Sequence, residues 1–258
     1  MSFKETDSIV VFEGKTEFGE YQIIDTVYVG RPARVFFSKG HHAAQSGVAL
    51  DSDPDLLFDY NQRFLEIAGY TYPERVLVIG GGMFTFPGAL LAMLPDVQID
   101  VVEIDKDLPK IARKYFGLKR DSRLNIFHCD GIRYLQDTKS KYDLIIIDAF
   151  QDTDVPSQFL TKETAFTIRD HMTFRGITAM NIIATYRGHR SSELRQVYTA
   201  YTEAFGSVEI FPAGLAMSEW LPQNYVVTGG MQRKKTLHGA VRYAPLVPPF
   251  NLPEGFNE

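Results

Sequence analysis

Four acidic side chains and a run of glycines stand at the ends of successive apolar segments. "RVLVIGGG" closes on Gly80, Gly81 and Gly82, "IDVVEID" on Glu103 and Asp105, "LNIFHCDG" on Asp130 and Gly131, and "YDLIIID" on Asp148. A glycine turn after a strand lets backbone amides approach a ligand, and the following helix adds the partial positive charge of its N-terminus. An acidic residue about 20 positions further on accepts hydrogen bonds from ribose hydroxyls. Gly80, Gly82 and Glu103 together point to a nucleoside. Asp130 has two readings, as acceptor for an adenine amino group or as the cap of the helix that follows it. Asp148 opens a loop that also carries Asp152 and Asp154.

Those residues need a scaffold that brings strand ends together. From Arg75 the chain alternates short apolar runs with amphipathic segments, and "RVLVIG", "IDVVEID", "LNIFHC", "YDLIIID", "GITAMNI", "SVEIFP" and "NYVVTG" are seven candidate strands. Most are too apolar to have a solvated face, which implies a largely parallel sheet with helices on both sides. The last two lie close together and are expected to close the sheet as an antiparallel pair, the arrangement of nucleoside-dependent methyl and alkyl transferases. In such open sheets ligands sit beyond the carboxyl ends of the strands, near the switch in strand order. Gly80, Glu103, Asp130 and Asp148 then line one crevice. Leu194, Val197, Tyr198, Tyr201 and Phe205 mark one face of an amphipathic helix on that sheet.

Residues 8 to 39 read differently. "SIVVFEG", "EYQIIDTVYVG" and "ARVFFSKG" are β-branched and aromatic runs separated by turn residues, hence antiparallel strands. "GHHAAQSGVALDSDPD" reads as a loop. Asp53 and Pro54 then supply an N-cap and a first-turn proline for a helix through "LLFDYNQRFLEIAGY". The expected fold is α/β: a Rossmann-like seven-stranded methyltransferase-type sheet over 53–258, preceded by a small antiparallel β domain over 1–52.

Composition narrows the function. A chain of 258 residues that is 45% hydrophobic and 23% charged buries a sizeable core and is not disordered. Its net charge of -5 gives no electrostatic footprint for nucleic acid. One cysteine, Cys129, excludes an intramolecular disulfide framework, fits a reducing compartment, and reads as a strand residue rather than a nucleophile. His41 and His42 are adjacent, which does not make a metal site, so no metal is expected. The N-terminus lacks the apolar run of a secretory signal, and the glycines and Pro87 interrupt the uncharged stretch 76–95. A cytoplasmic location and no membrane span are expected. Trp220 reads as an anchor of the terminal hairpin in the core.

The ordered set of segments resembles the spermidine synthase (polyamine aminopropyltransferase) family, in the form of its divergent, spermidine synthase-like members. "EYQ", "AAQSG", "DPDLLFDY", "VLVIGGG", "VVEID", "CDGIRYL" and "YDLIIIDAF" follow in that family's order and spacing. The resemblance implies transfer of an aminopropyl group from decarboxylated S-adenosylmethionine to a small-molecule amine, in polyamine biosynthesis, by a homodimer or homotetramer. It implies that Glu103 holds the ribose, Asp130 and Gly131 the adenine, and Gln45 the region of the nucleoside sulfur. Asp148 acts at the attacking amine, with Tyr60, Asp152 and Asp154 around the acceptor. An alkylammonium has no lone pair, so a carboxylate that positions it and takes its proton suits the reaction.

Two acidic positions of the resembled family are replaced. Met83 stands where an aspartate meets the amino group of the aminopropyl arm, Gln151 stands where a second aspartate follows Asp148, and Asn181 replaces a frequent glutamine. Three functions are therefore carried forward: aminopropyl transfer, methyl transfer from intact S-adenosylmethionine, and a non-catalytic nucleoside sensor or assembly protein. Met83 favours the second, because a carboxylate there would repel the carboxylate of the intact donor.

Overall fold

In the computed structural model the described residues are 8–39, 44–51, 56–150, 155–188, 191–213 and 220–230. The N-terminal runs form an antiparallel sheet in chain order, β1 (Ile9–Thr16), β2 (Gly19–Tyr28), β3 (Arg31–Ser38) and β4 (Ala44–Ala49). After α1 (Asp59–Thr71) comes an alternating series: β5 (Arg75–Ile79), α2 (Thr85–Met93), β6 (Gln98–Val102), α3 (Leu108–Tyr115), β7 (Leu124–Phe127), α4 (Gly131–Asp137) and β8 (Tyr142–Ile147). It ends with a 3-10 turn (Ser157–Leu160), α5 (Lys162–Asp170), β9 (Met172–Ala184), α6 (Ser192–Phe205), β10 (Val208–Ala213) and β11 (Gln223–Gly230). The second sheet has seven strands in the order β10-β11-β9-β8-β5-β6-β7. All are parallel except β11, which runs antiparallel to β9 and β10.

The apolar runs explain this sheet. Val76, Val78, Ile99, Val101, Leu144 and Ile146 enter one buried cluster, while Leu77, Ile79, Val102, Ile145 and Ile147 enter a second. Alternate residues thus serve opposite faces, and neither face of β5, β6 or β8 meets water. The first cluster continues into Tyr21, Ile23, Val35 and Phe36 of the N-terminal sheet. The strand order reverses between β5 and β8, so a crevice is expected where Gly80 and Asp148 leave those strands. On α6, Leu194, Val197, Tyr201 and Phe205 are buried.

Three expectations are corrected. Residues 44–49 are a strand, not loop: Ala33 faces Ala49, Arg34 faces Val48 and Phe36 faces Ser46. Alanine, serine and glycine carry little β signal of their own, and here the strand is held by the stronger β3. The helix through Tyr60 begins at Asp59, not near Asp53, because Leu56 is still bridged to Val48 and Phe58 is extended. Asp53 and Pro54 themselves lie outside the described residues. Trp220 is 65% exposed rather than in the core, where it stands over Gly188. No helix of the described residues is long and apolar enough to cross a membrane.

Candidate active site

The glycine loop is built by close approaches. Gly80 has φ +94°, and a Cβ there would lie 2.3 Å from the Asp148 carbonyl oxygen. Only glycine lets the ends of β5 and β8 come this close. Gly82 has φ +50°, and its Cβ would lie 2.8 Å from Ser46 Oγ. Ser46 Oγ in turn accepts from the Met83 amide at 3.2 Å, so β4 of the N-terminal sheet ties down the loop. Met83 and Phe84 are each 1% exposed and belong to the same buried cluster as Tyr60, Phe64 and Phe86. Phe84 adopts φ 58° at the start of α2, a strained choice for a bulky residue, offset by burial of its ring. The two apolar residues after the glycines therefore anchor the loop in the core.

Glu103 is not a solvated strand end. It is 6% exposed, its Oε2 accepts from the Gly81 and Gly82 amides at 2.8 and 3.0 Å, and its Oε1 accepts from the Asp105 amide at 2.9 Å. Burial pushes its carboxyl up, and the three amides pull it back. Three of about four acceptor directions are filled. Asp105 is itself held by the Thr16 hydroxyl from β1. His128 Nδ1 lies 3.3 Å from the Glu103 carbonyl oxygen.

Asp130 caps α4, its Oδ1 accepting from the Ile132 and Arg133 amides at 2.9 and 3.0 Å. Its Oδ2 is left for another donor and accepts from Gln158 Nε2 at 3.2 Å. Capping thus engages only one of the two carboxylate oxygens. Gly131 is buried where a Cβ would meet Ile79 Cγ2 at 2.4 Å. The neighbouring Cys129 is a half-buried residue beyond the end of β7 rather than a strand residue, and its thiol is pushed up by burial and by Asp130, which disfavours the thiolate.

Asp148 stands at the end of β8, partly buried, and forms a third corner. Asn181 Nδ2 on β9 donates to its Oδ1 at 3.0 Å, and the Tyr60 hydroxyl on α1 hydrogen-bonds its carboxyl. Asn61 also hydrogen-bonds the Tyr60 hydroxyl. Burial pushes Asp148 up to about 6, against the pull of the Asn181 and Tyr60 donors. Burial, then the nearby Asp148 charge, hold the Tyr60 hydroxyl well above its usual range. The side-chain oxygens of Asn61 and Asn181 are buried with no hydrogen-bond partner among the described residues. Such an acceptor on Asn181 beside the carboxylate, with a second on Asn61 next to Tyr60, favours a group rich in N–H donors.

The structure thus brings Gly80, Gly82, Glu103 and Asp148 to the carboxyl ends of β5, β6 and β8, with Asp130 and Gly131 beyond β7. Tyr60 joins Asp148 from α1. Gln45 is the extra residue of a β-bulge, since Phe36 faces Ser46 and Phe37 faces Ala44; bulges re-aim side chains beside sites. Asp152, Asp154 and Gln151 lie outside the described residues, as do His41 and His42. Ser46, Asn61 and Gln158 are contributors that sequence reasoning missed. For Asn61 a signal existed in its place beside Tyr60, whereas Ser46 and Gln158 reach across the fold.

The order and direction of the strands define a methyltransferase-type α/β fold. Residues 58–180 match the family model of the spermine/spermidine synthase domain. A polyamine aminopropyltransferase of Streptococcus uberis is 30% identical over 232 residues, covering 87% of this chain and 76% of that protein. The chain belongs to the spermidine synthase family of polyamine aminopropyltransferases. The structure of a probable spermidine synthase from Corynebacterium glutamicum superposes with a TM-score of 0.76 at 19% identity, covering 88% of this chain and 82% of that one. Human methyltransferase-like protein 13, solved in complex with SAH, gives 0.58 at 16% identity over 69% of this chain and 84% of its own, a likeness of fold.

Proposed function

We propose that this protein transfers an aminopropyl group from decarboxylated S-adenosylmethionine to a primary amine, with Asp148 as the base. The observation that carries this reading is the Asp148 corner, a carboxyl raised to about 6 yet held by two donors that favour its ionised form. Such a group is ionised at neutral pH, attracts an alkylammonium, and is basic enough to take one of its protons. The co-substrate, when bound, supplies a carbon activated by the adjacent sulfonium. Asp148 takes the proton, the freed nitrogen lone pair forms the new C–N bond, and the C–S bond breaks with its electrons returning to sulfur. Methylthioadenosine is the leaving group. Alignment does most of the remaining work, and Tyr60 and Asn181 serve it by fixing the carboxyl plane.

The glycine loop and Glu103 support nucleoside binding, with one acceptor direction of Glu103 open to a ribose hydroxyl. Methyl transfer from intact S-adenosylmethionine is the second reading. It is favoured by Met83, a buried apolar residue at the position where the resembled family carries an aspartate. Calorimetric titration with decarboxylated S-adenosylmethionine, S-adenosylmethionine and methylthioadenosine separates the two. Tighter binding of the decarboxylated form supports aminopropyl transfer; preference for the intact form overturns it. Binding of nucleosides with no turnover on any amine would instead leave a sensor.

A further inference from the structure

On a chain of net charge -5, the stretch from Arg113 to Arg123 carries five cations and a single acid, Asp121. Two of the cations are engaged. Arg123 grips Asp121 through Nε and Nη2 at 3.0 and 2.7 Å, and its Nη1 donates to the Leu94 and Pro95 carbonyl oxygens. Lys114 stands over the Tyr115 ring. Arg113, Lys119 and Arg120 remain, all exposed, and among the described residues none of them pairs with an acid. With Asp121, Leu124 and Ile126 they line a cleft of about 270 Å³ between the last turn of α3 and the edge strand β7. The loop that carries Lys119 and Arg120 is pinned at both ends. Gly117 turns the chain at φ +70°, Leu118 is buried and its amide reaches the Ala112 carbonyl oxygen, and the Asp121 carbonyl oxygen accepts from the Leu124 amide at 3.2 Å.

We infer that this cleft is a second ligand site, for a small organic phosphate. It lies where β7 begins, at the opposite edge of the sheet from the strand ends that line the crevice. Three like charges held around one cleft repel each other, and a dianion relieves that repulsion more than a single carboxylate does. Two of the three are guanidinium groups, whose forked N–H donors match phosphate oxygens. Arg113 also offsets the partial negative charge at the end of α3, which would otherwise oppose an anion. Leu124 and Ile126 are half-buried and give the cleft an apolar floor, which a bare inorganic ion leaves unused and a carbon skeleton covers. Ligand pockets for drug-sized molecules span roughly 300–1,000 Å³, so this smaller cleft suits a compact ester.

The test titrates phenyl phosphate, benzoate and inorganic phosphate into the full chain at about pH 7.5, where a phosphate monoester carries close to two charges. Binding is read by calorimetry and from the amide resonances of residues 118–126. Phenyl phosphate is expected to give saturable shifts there and to bind about tenfold more tightly than benzoate, for its second charge. It should also exceed inorganic phosphate roughly threefold, for the apolar floor. Reversing two charges, Lys119→Glu with Arg120→Glu, should weaken it at least about tenfold, and Arg113→Gln, a single change on the helix side, should weaken it several-fold. All three side chains are exposed, so the variants should melt as wild type does; a double variant that melts early leaves Arg113→Gln to decide. Shifts that do not saturate, affinity unchanged in the variants, or benzoate bound as tightly as phenyl phosphate overturns the inference. None of these readings depends on aminopropyl transfer.

Discussion

At the scale of single residues, Asp148 holds most of the consequence. Its carboxyl is pushed up to about 6 by burial, and in the proposed reaction it must be ionised to accept a proton. Hence kcat/KM should rise with pH through about 6 and level off above it. Asn181 donates to the ionised form, so Asn181→Leu removes a stabilising donor, raises the carboxyl further, and moves the acid limb to higher pH. A pH–rate profile of the two proteins checks both statements, and coincident limbs would remove Asn181 from the role. Asp148 itself was legible in the sequence, because a charged residue after "YDLIII" can only sit where a buried strand emerges. Its helpers were less so: Asn181 stood out only through the resemblance, and Asn61 is an ordinary asparagine until the fold sets it against the Tyr60 hydroxyl.

Elements position these residues, and two close contacts between elements are decisive. Gly80→Ala places a methyl 2.3 Å from the Asp148 carbonyl oxygen at φ +94°, so β5 and β8 must move apart at their ends. Loss of about 2 kcal/mol or more is expected, with strain at such a φ alone costing roughly 1–3 kcal/mol. A melting-temperature comparison reads it. Ser46→Ala acts more gently, freeing the Met83 amide without adding bulk. Nucleoside affinity should weaken several-fold, in keeping with roughly 0.5–1.5 kcal/mol for one hydrogen bond, while the amine KM at saturating nucleoside stays unchanged; a shift in the amine KM alone would contradict it. The seven strands of the large sheet were readable from their uninterrupted apolar runs and from the residues that end them. β4 was not, because "AQSGVA" is held as a strand by its pairing with β3 and carries no alternation of its own. The same invisibility hid Ser46, whose partner Met83 lies 37 residues away.

Across the whole molecule the two sheets behave as one body. A single buried cluster runs from Tyr21 and Phe36 to Val78 and Ile146. Arg34, paired with Asp25 at 2.7 Å, also donates to the Tyr115 carbonyl oxygen at 2.8 Å, and Thr16 reaches Asp105. Unfolding should therefore be one cooperative event; calorimetry and far-ultraviolet circular dichroism are expected to give a single coincident transition, and a separate early transition would contradict the shared core. This joining gives the N-terminal sheet a part in the site, because Ser46 and Thr16 hold the glycine loop and the Glu103 segment from outside. The central claim, that the assembled crevice performs aminopropyl transfer through Asp148, is tested most directly by turnover. The wild-type chain and Asp148→Asn are incubated with decarboxylated S-adenosylmethionine and putrescine, and products are read by mass spectrometry. The account predicts methylthioadenosine and an amine one aminopropyl unit longer from wild type, with the rate reduced about 10²- to 10⁴-fold in the variant, the range for loss of a general base. Methylated amine formed from intact S-adenosylmethionine, or undiminished turnover by Asp148→Asn, would contradict it.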